Sequence, residues 1–185
     1  MNARDRLITT TARLLQAQGF RQTGLQQILA ESGAPRGSLY HYFPGGKDEL
    51  AVAAIAHATT EVTQGLSEIL PAHASPAEAL AAVVAHFAAE LEATGFEKGC
   101  PVATVALEQA AQNPTIQAAC AEAYATWQAA LAGYLGAQGL PDPEDLAEQL
   151  LMLLEGALLL SRARRDLTPL RRLEARIPHL ISKEA

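Results

Sequence analysis

A chain of 185 residues is long enough for one large domain or two small ones with a real core. Its residues are 49% hydrophobic but only 5% aromatic, and no stretch alternates β-branched residues, which excludes a β protein and points to an Ala/Leu-rich helical one. The net charge of −6 hides an asymmetry that keeps nucleic acid in play: residues 1–50 carry six basic and four acidic side chains, and the rest carries eight and sixteen.

The N-terminus, Met-Asn-Ala-Arg-Asp-Arg, leads into an amphipathic helix and not an apolar signal sequence. The longest apolar run, 150–160, is interrupted by Glu155 and is too short for a bilayer. The expectation is a cytoplasmic protein with no membrane association. Two cysteines, Cys100 and Cys120, make no disulfide framework.

In chain order, helix 1 is predicted over 3–18, with Leu7, Ile8, Thr11, Ala12, Leu14 and Leu15 inward and Gly19 ending it. Leu25, Ile28 and Leu29 share one face of a second helix, capped by Thr23 with Gln26 closing a capping box and ended by Gly33. Pro35 then fits the first turn of a third. At about 100° per residue, Leu39 and Phe43 of that helix point inward together. Gly37 and His41 point outward, Ser38 and Tyr40 flank them, and Arg36 and Tyr42 lie at the margins.

An outward face without a carboxylate, with a glycine that admits close backbone approach, suits a recognition helix in a DNA major groove. The plainer reading is a helical hairpin with ordinary surface residues. The candidate DNA-contacting set is Thr23, Gln26, Pro35, Arg36, Gly37, Ser38, Tyr40, His41, Tyr42 and Lys47, the last for phosphates.

The run Gly19-Phe20, Thr23, Ile28-Leu29-Ala30, Ser32-Gly33, Gly37 to Phe43, Lys47 and Leu50 resembles the N-terminal DNA-binding domain of the TetR family of bacterial transcriptional regulators. The resemblance covers about the first fifty residues. It implies an all-α homodimer, with helices 2 and 3 as the helix-turn-helix and a variable ligand-binding C-terminal domain. Departures are Gly24 where a hydroxyl residue is common, Pro35 where a small polar or branched one is, and Gly45-Gly46 before the lysine. The expected division is 1–46 for DNA binding and 47–185 for ligand binding and dimerisation.

Helix 4 is predicted from about 46 to 70, ~35 Å long at ~1.5 Å per residue, shared by both parts. Prolines 76, 101, 114, 143 and 169 each mark a helix start, four of them after a good N-cap, and Ser75 with Glu78 makes a capping box. Helices are therefore expected at 76–94, 101–110, 114–136, 143–164 and 169–182, nine in all. Helix 8 is apolar around most of its circumference and helix 9 along one side. Leu150, Leu154, Leu158, Leu173, Ile177 and Leu180 are thus expected at a four-helix dimer interface; the alternative is that both helices complete the monomer core.

Candidate effector-lining residues are Phe87, Leu91, Phe96, Cys100, Thr104, Tyr124, Trp127, Leu131, Met152 and Glu155. Glu155 needs a partner or a solvated cavity inside its apolar run. Aromatics at helical spacing are also what a plain core would use. Gly99-Cys100-Pro101-Val102 followed by Leu107-Glu108 resembles the C-terminal domain of the LmrA/YxaF branch of the family. Cys100 at an expected helix start beside Lys98 could be an activated, electrophile-sensing thiol, or merely a small cap.

His86 and Glu90 share a face but find no third ligand, and no phosphate loop or nucleophile motif occurs. The expectation is no enzyme, metal or cofactor. It is a repressor released from a palindromic operator by a small apolar effector, with a Cys100 switch or a helical module that no longer binds DNA as the alternatives.

Overall fold

The computed structural model describes residues 1–182; the last three residues of the expected second domain lie outside them. Nine α-helices and no strands occur among the described residues. They are α1 Ala3–Gln22, α2 Leu25–Ser32, α3 Arg36–Tyr42, α4 Lys47–Ile69, α5 Pro76–Ala93, α6 Ala103–Gln109, α7 Pro114–Ala137, α8 Pro143–Arg164 and α9 Thr168–Leu180, with a 3₁₀ turn at Leu70–Ala72.

The chain packs as two compact units. One joins Met1–Glu61 to Cys100–Tyr124, and the other joins Val62–Gly99 to the chain from Ala125 on. Compactness therefore cuts the chain elsewhere than at 46/47, because α6 and the start of α7 pack in the first unit. Within it, Leu7, Ile8 and Leu14 of α1, Ile28 of α2, Ala34, Leu39 of α3, Phe43 and Leu50 form one buried cluster. Truncating such a large buried side chain to alanine typically costs about 2–5 kcal/mol.

Local chemistry explains most helix ends. Asn2 and Asp5 form a reciprocal capping box on α1. Helical turns run on to Gln22, but Gly19 (φ 79°, ψ 178°) breaks α1 where the sequence places its end. Gly33 closes α2 in the left-handed conformation, φ 61° and ψ 19°. Ser75 accepts the Glu78 N–H, and the Asn113 carboxamide oxygen accepts from Thr115 and Ile116.

Other starts differ from expectation. Thr23 does not cap α2. The N-cap is Gly24, and the Thr23 hydroxyl donates instead to the Gly19 carbonyl at 2.6 Å. Pro35 is the N-cap of α3, one residue before the expected position. Pro101 lies in a turn ahead of α6, which begins at Ala103. Asp142 is left-handed, φ 43°, and makes no cap bond. The N-cap of α9 is Leu167, and Asp166 just before it accepts both the N–H and the hydroxyl of Thr168. A proline sets φ for a helix start, but the cap also needs the preceding side chain turned back onto the helix, which its own backbone decides.

In the second unit α5 packs against α8 and α9. Leu80, Val83, Val84 and Leu91 of α5, Leu150, Ala157 and Leu158 of α8, and Leu170, Leu173 and Ile177 of α9 are buried. Leu150, Leu158, Leu173 and Ile177, expected at a dimer interface, are thus buried within their own chain. Leu154 and Leu180 are only half-buried.

Candidate nucleic-acid interface

The α2–α3 turn presents α3 as a ridge anchored from beneath. Leu39 and Phe43 are 0% and 2% exposed, which fixes the rotation of the helix about its axis. Pro35, Arg36, Gly37, Tyr40, His41 and Tyr42 consequently face solvent, and Ser38 is half-buried. A side chain built on Gly37 would meet nothing within 4 Å, so this point of the ridge is open to close approach. The His41 and Tyr42 rings meet edge-on at 4.9 Å. No carboxylate lies on α3. Of the neighbouring acids, Glu49 is occupied accepting the Gly45 N–H at 2.8 Å and Asp48 accepting from the Asn113 amide at 2.8 Å.

Two expected contacts are placed otherwise. Thr23 is fully buried and its hydroxyl is spent on Gly19, so it drops out of the exposed set; Gln26 remains exposed. Lys47 is half-buried, donates to the Phe20 carbonyl at 2.6 Å and lies 4.0 Å from the Phe20 ring centre. Burial pushes its pKa below the ordinary lysine value, against the opposing pull of Asp48 and Glu108. Its first role is to tie the start of α4 to α1. Arg4 and Arg6 are likewise engaged inward, over the Phe43 ring and on the Gly33 carbonyl.

Two features of this unit had no sequence signal. Glu108 of α6 accepts the Arg21 backbone N–H at 2.8 Å, and Asn113 reaches Asp48. Partners 87 and 65 residues apart leave no local pattern to read.

The effector-lining residues fall into both units. In the first, the Cys100 sulfur accepts the Val102 and Ala103 N–H groups, each at 3.4 Å, and stands 4.0 Å from the Tyr124 hydroxyl, while Thr104 is half-buried. Cys100 is 5% exposed and precedes a turn, not the helix itself. In the second unit Leu91, Trp127 and Leu131 are buried and Phe87, Phe96 and Glu155 half-buried. Met152 departs from the expected lining: at 61% exposure it stands on the open face of α8 with Leu153, Leu159 and Leu160. Among the described residues no group of three or more His, Cys, Asp or Glu could hold a metal, and no helix is long and apolar enough to cross a membrane.

Residues 7–54 match the family model described as bacterial regulatory proteins, tetR family, and residues 76–176 match that of the transcriptional regulator LmrA/YxaF-like C-terminal domain. The uncharacterized HTH-type transcriptional regulator YxaF of Bacillus subtilis (strain 168) is 34% identical over 185 residues, covering 99% of this chain and 97% of that protein. LmrA, an HTH-type transcriptional regulator of the same organism, is 32% identical over 184 residues, covering 98% of each. Among solved structures, a regulatory protein TetR from Rhodobacter sphaeroides superposes with a TM-score of 0.86 at 26% identity, covering 97% of this chain and 99% of that one. Reduced Escherichia coli NemR gives 0.85 at 23% identity with both chains fully covered.

Proposed function

The chain belongs to the TetR family of bacterial regulatory proteins, and from that premise we propose that it is a dimeric repressor released from a roughly palindromic operator by a small apolar effector. It is a helix-turn-helix transcriptional regulator and not an enzyme. The observation that carries the DNA-binding part is the carboxylate-free exposed ridge of α3, held in one rotation by Leu39 and Phe43. Arg36, Tyr40, His41 and Ser38 supply donors for base edges and phosphates, and Gly37 lets the backbone approach. Gln26 and Tyr42 add contacts at the margins. The site of action is the cytoplasm, where the operator is.

Dimerisation supplies the two heads a palindrome requires, spaced about 34–36 Å apart or a multiple of it. We place the interface on α8 at Met152, Leu153, Gly156, Leu159 and Leu160, which fall within an arc of about 120°. Four of the five are large apolar side chains left open, and the central Gly156 allows close approach. The effector is assigned to Phe87, Leu91, Phe96, Trp127 and Leu131, with Glu155 as the polar group, the usual character of a small-molecule site. It acts by its differential affinity for two arrangements of the heads.

The test is titration of the purified protein on duplexes from the region upstream of its own gene, at several salt concentrations. Saturable binding to one short segment is expected, weakening as salt rises. Failure to bind any duplex even at low salt would overturn the repressor reading in favour of a helical interaction module.

A further inference from the structure

We infer that Glu108 and Asn113 are positioning residues: they clasp the segment α6–α7 to α1 and α4 and hold the DNA-binding head in the arrangement that fits its operator. The inference rests on the regulator reading above, and every contact that carries it lies within the first compact unit.

The first half of the clasp is at the break in α1. Gly19 carries φ 79°, and a side chain there would bring its first carbon to 2.4 Å from the Glu108 Oε1 and 3.0 Å from the Thr104 methyl. The notch thus exists only because residue 19 has no side chain, and it is filled by α6. Around it the backbone groups of the break are taken by side chains from three places. Thr23 donates to the Gly19 carbonyl, Lys47 at the start of α4 donates to the Phe20 carbonyl, and Glu108 accepts the Arg21 N–H. Burial holds the Lys47 pKa below the ordinary lysine value; Asp48 and, more weakly, the Glu108 carboxylate of α6 pull against it.

The second half is one residue further along α4. Asn113 uses both ends of its amide: the oxygen caps α7 through the Thr115 and Ile116 N–H groups, and the nitrogen donates to Asp48 at 2.8 Å. Of the first two residues of α4, Asp48 is therefore tied directly to α7, and Lys47 to the α1 break whose Arg21 N–H Glu108 holds. The helices α4 and α7 each continue past the limit of the first unit, at Glu61 and Tyr124. A shift of α6–α7 must move the α1 break and the α4 start together or break two charge-assisted hydrogen bonds, which are stronger than neutral ones.

Three variants separate positioning from plain support. Glu108→Ala removes the acceptor, and Glu108→Gln keeps an oxygen for Arg21. Asn113→Ser keeps a good cap for α7 but withdraws the amide from Asp48. Each is titrated on the operator segment found by footprinting upstream of the gene, with the half-site spacer natural or changed by one base pair.

The wild type should prefer the natural spacer. Glu108→Ala and Asn113→Ser should bind it about tenfold more weakly, which is about 1.4 kcal/mol, and lose the spacer preference while keeping their base preferences. Glu108→Gln should stay close to wild type. Lower melting temperatures with an unchanged spacer profile in both Glu108→Ala and Asn113→Ser would mean plain structural support and overturn the inference. Amide exchange tests the clasp without DNA: Arg21 N–H should exchange faster in Glu108→Ala than in wild type or Glu108→Gln, and equal rates would also overturn it. A wild type that binds no duplex would instead count against the regulator reading, with the Arg21 amide still testing the clasp.

Discussion

Two glycines in the same domain answer to opposite constraints. Gly19 sits at φ 79° against Glu108 and Thr104, so Gly19→Ala adds backbone strain and a collision. It should destabilise the fold by about 1–3 kcal/mol, read as a lower urea midpoint; an unchanged midpoint would show that the α1–α6 notch is not tight. Gly37 has helical backbone and open space around it. Gly37→Ala should therefore stabilise the free protein by about 0.5–1 kcal/mol. It should nonetheless weaken operator binding by about tenfold or more, because the methyl fills the gap that α3 offers to DNA. Undiminished binding by the stabilised variant would remove close approach at residue 37 from the mechanism.

At the scale of the element, α8 divides between two uses. Leu150, Ala157 and Leu158 face its own chain, and Met152, Leu153, Leu159 and Leu160 face out. The two faces should fail differently. Leu159→Glu is expected to keep the helical signal and melting behaviour while sedimenting as a monomer with little operator affinity. Leu150→Glu buries a carboxylate with no partner and should lose several kcal/mol of stability. A dimer that survives Leu159→Glu together with Met152→Glu would place the interface elsewhere. The same helix shows where the sequence is ambiguous. Leucines spread over most of a circumference say that α8 is apolar on several sides, but not which side meets α9 and which is left open.

For the whole molecule the open question is how the signal enters, and burial favours a reversible ligand over a thiol switch. Cys100 is 5% exposed and its sulfur is occupied by two backbone N–H groups, so a reagent has little access to it. Cys120 is also buried, and desolvation pushes its thiol pKa up, away from the reactive thiolate. Cys100→Ser should bind operator as wild type does and still be released by the apolar compound that a screen on wild type identifies, with a change in Trp127 fluorescence. Quinones or hypochlorite releasing the wild type but not Cys100→Ser would transfer the trigger to the cysteine.

What the sequence by itself determined is whatever a few neighbouring residues encode. The left-handed close of α2 at Gly33, the break at Gly19, the inward pair Leu39 and Phe43, and the proline starts of α5, α7 and α8 all follow from backbone sterics and helical period within a turn or two. The family was legible for the same reason, since the helix-turn-helix is one contiguous stretch. Only the tertiary structure decided that Thr23 turns inward, that Lys47 is spent on Phe20, that Met152 and not Leu150 is open on α8, and that α6 closes on α1 through Glu108. Each of these depends on a partner that the local pattern does not name. A helical period says that a face is apolar and a side chain's chemistry says what it can bond. Which surface covers that face, and which carbonyl lies within about 3 Å of that donor, is settled when segments far apart in the chain come together to bury apolar area and satisfy the polar groups caught with it.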